Sequence, residues 1–464
     1  MRKIVMPSHN FNNDILRAYD IRGIVGENLN YLDAEILGKI FSSSLNLNNK
    51  VVVCRDGRLS SPEISKYLIK GLKDSGSHVV DIGIGPSPML YFAANTLNSD
   101  GAIMVTGSHN PPNYNGFKMM KGAAPFFGQD IKDIGKKGLN GQWESLEGGK
   151  IEKKNIENEY LDSMIKSSKL DKIKSNLKVV WDSGNGSAGI IMEKLVNRLP
   201  GKHILINKEI NGNFPSHHPD PTEPKNLKDL IKTVRNNNFD LGIAFDGDGD
   251  RIGIVSSKGN IIWGDQLVAF LAKEVLKSIP GSSIIVDVKS SKCIFDEIKN
   301  LGGNPFMWKT GHSFIKTKMK EISSPLAGEM SGHIFFSDRY FGFDDALYAA
   351  LRVLELIDDN QTLDLFLDSL PNTYSTPEIK ISCSDKKKFL IIEELGEIVD
   401  DTNDSVIKVD GLRVNCNNGW WLLRASNTQE ALIARMESNN KKDLELMKIE
   451  VDNLLKKYDL SLNI

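Results

Sequence analysis

Two short segments carry residues able to do chemistry together. The first is Val105-Thr106-Gly107-Ser108-His109-Asn110-Pro111-Pro112, where a serine hydroxyl follows the apolar run Ala102-Ile103-Met104-Val105. That run reads as a short buried strand, ended by Gly107, Asn110 and the two prolines. Ser108 therefore stands at the carboxyl end of a strand, the edge at which open α/β sheets bind ligands. A loop serine is commonly no more than a turn residue, and a second segment gives this one a partner. Ala244-Phe245-Asp246-Gly247-Asp248-Gly249-Asp250-Arg251 spaces three carboxylates at alternate positions with glycines between them. In an extended segment, alternate side chains project to one side, so the three carboxylates can converge on one hard cation such as Mg²⁺. Three carboxylates so close repel one another unless a cation offsets them. The spacing lacks the distal glutamate of a twelve-residue calcium loop.

Two further segments complete an ordered set: Gly328-Glu329-Met330-Ser331-Gly332-His333 and Arg424-Ala425-Ser426-Asn427-Thr428-Gln429-Glu430. Together the four segments resemble those of the α-D-phosphohexomutase superfamily, most closely its bacterial phosphomannomutase/phosphoglucomutase members, over Arg17 to about Arg435. The resemblance implies that Ser108 is a phosphoryl carrier, with Asp246, Asp248, Asp250 and a phosphoserine oxygen holding Mg²⁺. It makes Lys118 and His312 acid/base candidates, and it places His109 and Arg251 beside the phosphoserine. A lysine base requires a depressed pKa, and neighbouring cations and burial are expected to supply it. Glu329, Ser331 and His333 resemble the sugar-reading loop, where a carboxylate and a hydroxyl suit adjacent sugar hydroxyls. Arg424, Ser426, Asn427 and Thr428 resemble the clamp for the phosphate that is not reacting, a task suited to a planar guanidinium. Tyr19, Arg22 and Lys289 resemble further ligand-facing positions. Gln429-Glu430-Ala431 departs from the family's usual proline after the threonine.

The implied reaction interconverts the 1- and 6-phosphates of mannose or glucose, with a trace of hexose 1,6-bisphosphate as activator. Phosphoglucosamine mutase is the nearest alternative; that branch resembles Gln where Met330 stands. A non-catalytic sugar-phosphate-binding regulator on the same fold is another, opposed by the presence of the serine, the three aspartates and both acid/base candidates.

Composition agrees with a small-molecule enzyme. The 464 residues are 40% hydrophobic and 25% charged, with a net charge of −2, so no basic field argues for nucleic acid or an anionic membrane. No apolar run has the length of a membrane span, and Met1–Pro7 lacks the apolar stretch of a signal peptide. Cys54, Cys293, Cys383 and Cys416 are widely separated and form no CxxC pair. A cytoplasmic monomer or homodimer acting on small sugar phosphates is expected.

The elements that must position these residues follow α/β grammar. Val51–Cys54, Val179–Trp181 and Ile284–Val286 each read as strand, polar turn, then helix. Their recurrence suggests three related α/β domains with mixed sheets. The final segment reads as hairpin strands and a helix over Lys441–Tyr458, a smaller α+β domain closing a central cleft. Polar linkers near Trp143–Lys154, Ser256–Asn260 and Pro371–Pro377 divide the chain into residues 1–154, 155–256, 257–371 and 372–464.

Overall fold

The structure is a computed structural model that describes residues 7–357, 362–399, 406–427 and 429–462. Four sheets follow one another along the chain. In the first, Lys50–Arg55, His78–Ile84 and Gly101–Val105 are parallel neighbours; Tyr114–Lys121 turns back antiparallel on Gly101–Val105, and Ile21–Ile24 pairs beyond it. The all-buried Gly101–Val105 is an apolar run too short for a helix, while amphipathic Ser61–Asp74 and Gln129–Leu139 bury only one face.

The second and third sheets repeat this plan with fewer strands. Lys178–Asp182 lies parallel to Lys202–Ile206 and Leu241–Phe245, and Ile252–Ser256 returns antiparallel on the last. Ser283–Asp287 lies parallel to Asn304–Trp308 and Leu326–Gly328, and Ile334–Phe336 returns antiparallel. The fourth sheet is antiparallel among the described residues, with Gly419–Ala425 and Ala431–Ser438 at its centre and helices Asp385–Ile398 and Lys441–Lys456 packed against it.

The expected linkers carry structure. Lys150–Lys153 adds in parallel to His78–Ile84 as an edge strand, and Ser256–Asn260 is the turn joining Ile252–Ser256 to Ile261–Ile262. The second sheet thus runs past residue 256 to Ile262. Tyr374–Ser375 pairs with Ala431–Ser438 and belongs to the fourth sheet. Polar composition misled here because edge strands and hairpin turns are solvated on one side and read like linkers.

One repeated device places the site. In each of the first three sheets a parallel strand ends, turns tightly, and comes back antiparallel, and each turn holds one of the motifs. Ser108 sits between Gly101–Val105 and Tyr114–Lys121, the aspartates between Leu241–Phe245 and Ile252–Ser256, and Glu329–His333 between Leu326–Gly328 and Ile334–Phe336. The fourth motif occupies the turn between Gly419–Ala425 and Ala431–Ser438. A single continuous hydrophobic core links the first three domains, while the fourth has its own.

Candidate active site

The four turns face one cleft of about 760 Å³. Ser108, His109, Lys118, Tyr19 and Arg22 line it from the first domain, and Arg251 from the second. Lys289, His312, Glu329, Ser331 and His333 line it from the third, and Arg424, Ser426 and Asn427 from the fourth. Thr428 lies outside the described residues. Asp246, Asp248 and Asp250 lie beneath the surface of the cleft, fully buried.

Ser108 is 2% exposed and its Oγ donates to Asp246 Oδ2 at 3.1 Å. Two close backbone approaches make this meeting possible. A Cβ on Gly247 would come within 2.4 Å of the Ser108 carbonyl oxygen, so only glycine lets the two loops touch. Ser87, at the start of helix Ser87–Thr96, ties the aspartate turn to the first domain: its Oγ donates to Asp248 Oδ2 at 2.5 Å and its N–H to the Asp248 carbonyl at 2.8 Å.

The three carboxylates converge, within 4.8 Å of one another, but through a turn and not through the extended segment the spacing suggests. Asp246 Oδ1 accepts from the backbone N–H groups of Asp250 and Arg251, both at 3.1 Å, and Gly249 N–H donates to the Asp246 carbonyl. The aspartate side chain itself folds the segment, an Asx-type competition with extended backbone. Burial and mutual repulsion push the Asp246 and Asp250 carboxyls up. Asp248 also suffers burial, yet the Lys118 ammonium and the Ser87 hydroxyl outweigh it and hold its carboxyl down. Asp248 Oδ1 and Asp250 Oδ1 are buried with no hydrogen-bond partner. Buried carboxylate oxygens left open beside a serine hydroxyl are a donor set that fits a hard divalent cation.

Lys118 corrects an expectation. It lies on Tyr114–Lys121 with Nζ 2.6 Å from Asp248 Oδ2 and also bonded to Asp250 Oδ2. Burial disfavours its charge, but the surrounding aspartates prevail and raise its pKa. The lysine is held as an ammonium, opposite to the depressed pKa that a base requires, because its neighbours are carboxylates and not cations.

Three histidines line the cleft. His109 Nδ1 lies 2.9 Å from Asp220 Oδ2, and burial with Arg251 nearby lowers its pKa to about 3. Burial and Lys316 lower His312 as well, and its ring stacks on His333 at 5.5 Å. Arg251 Nε donates to His333 Nε2 at 3.0 Å, while His333 Nδ1 faces Asp344 Oδ2 at 3.0 Å. The acceptor role of Nε2 fixes the proton on Nδ1, toward the aspartate.

Carboxylates hold the cations among the remaining residues, and backbone and amide groups hold Glu329 and Tyr19. Glu329 is 1% exposed, burial pushes its carboxyl up, and its Oε1 accepts from Gly311 N–H at 2.5 Å. Lys289 Nζ lies 3.1 Å from Glu378 Oε1, and Arg424 Nε and Nη2 each lie 3.0 Å from Asp410 Oδ2. Arg22 bridges Asp20 Oδ2 and Asn110 Oδ1. Tyr19 joins three domains: its hydroxyl donates to the Thr310 carbonyl at 2.8 Å and accepts from Asn427 Nδ2 at 2.6 Å.

Sequence reasoning missed Ser87, Asp220, Asp344, Glu378 and Asp410. Each is a partner of a motif residue, and Ser87, Asp220 and Glu378 sit far from theirs in the chain and become visible only when the sheets are packed. The one available signal was weak: Asp220 stands in the proline-bracketed run His218-Pro219-Asp220-Pro221, whose rigidity suits a positioned side chain.

Comparison with known proteins agrees with this geometry. The chain matches the phosphoglucomutase/phosphomannomutase alpha/beta/alpha domains I, II and III over residues 13–141, 158–259 and 263–374, and the C-terminal domain over 378–454. It is 44% identical to a phosphomannomutase/phosphoglucomutase of Pseudomonas aeruginosa, covering 97% of this chain and 96% of that one. A phosphoglucomutase of Neisseria gonorrhoeae is 41% identical, with 93% and 94% covered. The crystal structure of a phosphoglucomutase/phosphomannomutase family protein from Burkholderia thailandensis superposes with a TM-score of 0.89 at 39% identity, covering 96% of this chain and 98% of that one. Four hairpin turns around one cleft, with a serine over an acidic turn, define a phosphohexomutase. The chain belongs to the phosphoglucomutase/phosphomannomutase family.

Proposed function

We propose that the cleft interconverts hexose 1-phosphate and hexose 6-phosphate, of mannose and glucose, with Ser108 as the phosphoryl carrier. The observation that carries this reading is the contact of Ser108 Oγ with Asp246 Oδ2 at 3.1 Å, at the floor of a cleft lined from four domains. In the first half-reaction a sugar hydroxyl attacks the phosphorus of phosphoserine 108 and the P–Oγ bond breaks. The hydroxyl's proton passes to a protein base and Ser108 Oγ receives one from a protein acid, leaving hexose 1,6-bisphosphate. The sugar turns over, and Ser108 Oγ takes the other phosphoryl group by the reverse steps.

Lys118, held protonated between two aspartates, suits the acid beside Oγ. His312 suits the base, its imidazole kept neutral by burial and by Lys316 and its ring stacked on His333, which the Arg251 guanidinium holds through Nε2. Glu329 and Ser331 read sugar hydroxyls, and Arg424, Ser426, Asn427 and Thr428 hold the phosphate that is not reacting, with Tyr19, Arg22 and Lys289 completing the cleft. Asp246, Asp248, Asp250 and Ser108 would hold Mg²⁺, which would supply charge neutralisation at the phosphoryl oxygens. Hexose 1,6-bisphosphate is the activator, because it primes an unphosphorylated Ser108.

A coupled assay of mannose 1-phosphate and glucose 1-phosphate, with added bisphosphate, tests the reading. Both should turn over, and the ratio of their kcat/KM values measures how strongly Glu329 and Ser331 discriminate the one hydroxyl at which the two sugars differ. Glucosamine 1-phosphate turning over while neither hexose phosphate does would contradict it.

A further inference from the structure

We infer that Arg58 is a positioning residue for phosphoryl transfer, whose guanidinium fixes the Ser108 loop through its backbone. The inference rests on Ser108 as the carrier and adds what holds it in place. Arg58 follows strand Lys50–Arg55 and packs under the loop with its side chain fully buried. All five guanidinium N–H groups are engaged. Nη2 donates to the carbonyls of Ser108 and Asn110 at 2.7 and 2.6 Å, and Nη1 to those of Pro111 and Tyr114 at 2.5 and 3.1 Å. Nε donates to Asp56 Oδ2 at 3.1 Å.

Asp56 grips the same loop from its other side. Its Oδ2 also accepts from Thr106 Oγ1 at 2.8 Å and from Gly107 N–H at 3.2 Å, and Thr106 Oγ1 accepts from Ser108 N–H at 2.8 Å. The serine's own amide and carbonyl are therefore both anchored, one through Asp56 and Thr106 and one by Arg58. Gly107 reports how tightly the guanidinium is set: a Cβ there would lie 2.5 Å from Arg58 Nε.

This anchoring has a specific task, because Ser108 adopts φ +49°, in the left-handed region. An L-residue with a side chain pays roughly 1–2 kcal/mol there and relaxes unless its surroundings over-determine it. The conformation is what turns Oγ toward Asp246. During a turnover Ser108 alternately carries a dianionic phosphate and a neutral hydroxyl, so the loop must keep one shape under two very different charges. Four carbonyls bound to one rigid planar cation provide that constancy. A lysine offers three donors on a flexible stem and cannot span them.

Arg58→Lys should lower kcat about 10–100-fold, since a displacement of about 1 Å at a reacting atom has that effect. KM for glucose 1-phosphate should stay within about twofold, because Arg58 lies beneath the loop and outside the residues lining the cleft. Thr106→Val, which keeps the shape of the side chain and removes its bonds to Ser108 and Asp56, should lower kcat about tenfold with the same unchanged KM. In single turnover both variants should lose phosphate from Ser108 slowly while binding sugar phosphate normally. Phosphate mapped by intact mass and peptide analysis is read first: its absence from Ser108 in an active wild-type enzyme removes the carrier reading itself. With phosphate on Ser108, a folded Arg58→Lys enzyme with wild-type kcat, or with raised KM and unchanged kcat, overturns the role of Arg58. If Arg58→Lys fails to fold, Thr106→Val decides, and an unchanged kcat there overturns the inference.

Discussion

At the scale of single residues, the site is a set of charges that would be unstable apart. Asp246, Asp248 and Asp250 are fully buried within 4.8 Å of one another, with Lys118 as the ammonium among them and Arg251 at the rim. Removing one carboxylate from such a group leaves the ammonium partly unpaired and weakens the hold on any cation. Asp248→Asn should therefore lower Mg²⁺ affinity and activity together, on the order of 10–100-fold, with part of the activity restored by excess metal. Metal titration by calorimetry and by activity checks this, and the same Mg²⁺ dependence in all three single Asp→Asn variants would sink the cation reading. The residues of this group were legible in the sequence because aspartates alternating with glycines between two apolar strands have few other uses. Their geometry was not. Asp246 Oδ1 folds the segment into a turn, and a strand-period reading has no means of seeing a side chain bonding its own backbone. The sense of Lys118 was misread for a related reason, since its partners come from a different domain.

At the scale of elements, one antiparallel hairpin closing a parallel sheet is used three times, and a fourth hairpin completes the ring. Sequence patterning finds the strands, because Gly101–Val105, Leu241–Phe245 and Ile252–Ser256 are buried throughout and bounded by turn residues. It does not find Lys150–Lys153, exposed along its whole length, nor the short pair at Ile261–Ile262. Helices depend on polar anchors that are equally hidden. Asp345 caps Ala346–Leu354 by accepting from Tyr348 N–H at 3.0 Å, and it also accepts from the hydroxyls of Tyr160 at 2.8 Å and Tyr340 at 3.1 Å. Burial lifts its carboxyl from 3.8 to about 6 despite these donors. A carboxyl raised on folding binds its proton more readily in the native state, so its contribution to stability is lost as the pH rises from about 4 through 6. The difference in stability between wild type and Asp345→Asn should accordingly shift by roughly 2–3 kcal/mol against the wild type over that range and level off above it. Urea midpoints of the two proteins at a series of pH values measure this; a difference that stays flat across the range, or rises with pH, would show that Asp345 is not held in this way.

At the scale of the whole molecule, the division of the core matters most. One hydrophobic cluster spans the first three domains, each of which also has a cluster of its own, whereas the fourth packs around its own and meets the third through a small patch at Val288, Trp420 and Leu422. Arg413, stacked on Trp420 at 3.7 Å, donates to the carbonyls of Val288 and Ser290, and Arg435 donates to that of Lys289. A joint made chiefly of polar anchors suits a domain that must admit a sugar phosphate and let it turn over, and the Tyr19 hydroxyl supplies a contact across the mouth between the first domain, Thr310 and Asn427. Ser108, Glu329 and Arg424 thereby line one cleft, with Asp246, Asp248 and Asp250 buried beneath it.

The central claim is that every phosphoryl group passes through Ser108. Enzyme labelled with radioactive phosphate and freed of excess label should be mixed with glucose 1-phosphate and quenched within a turnover. Label should leave the peptide containing Ser108 as fast as turnover proceeds and appear in hexose 1,6-bisphosphate and then hexose 6-phosphate, while Ser108→Ala takes up no label and loses activity by orders of magnitude. Label retained on the protein through many turnovers, mapped to another residue, or a fully active Ser108→Ala enzyme would contradict the account.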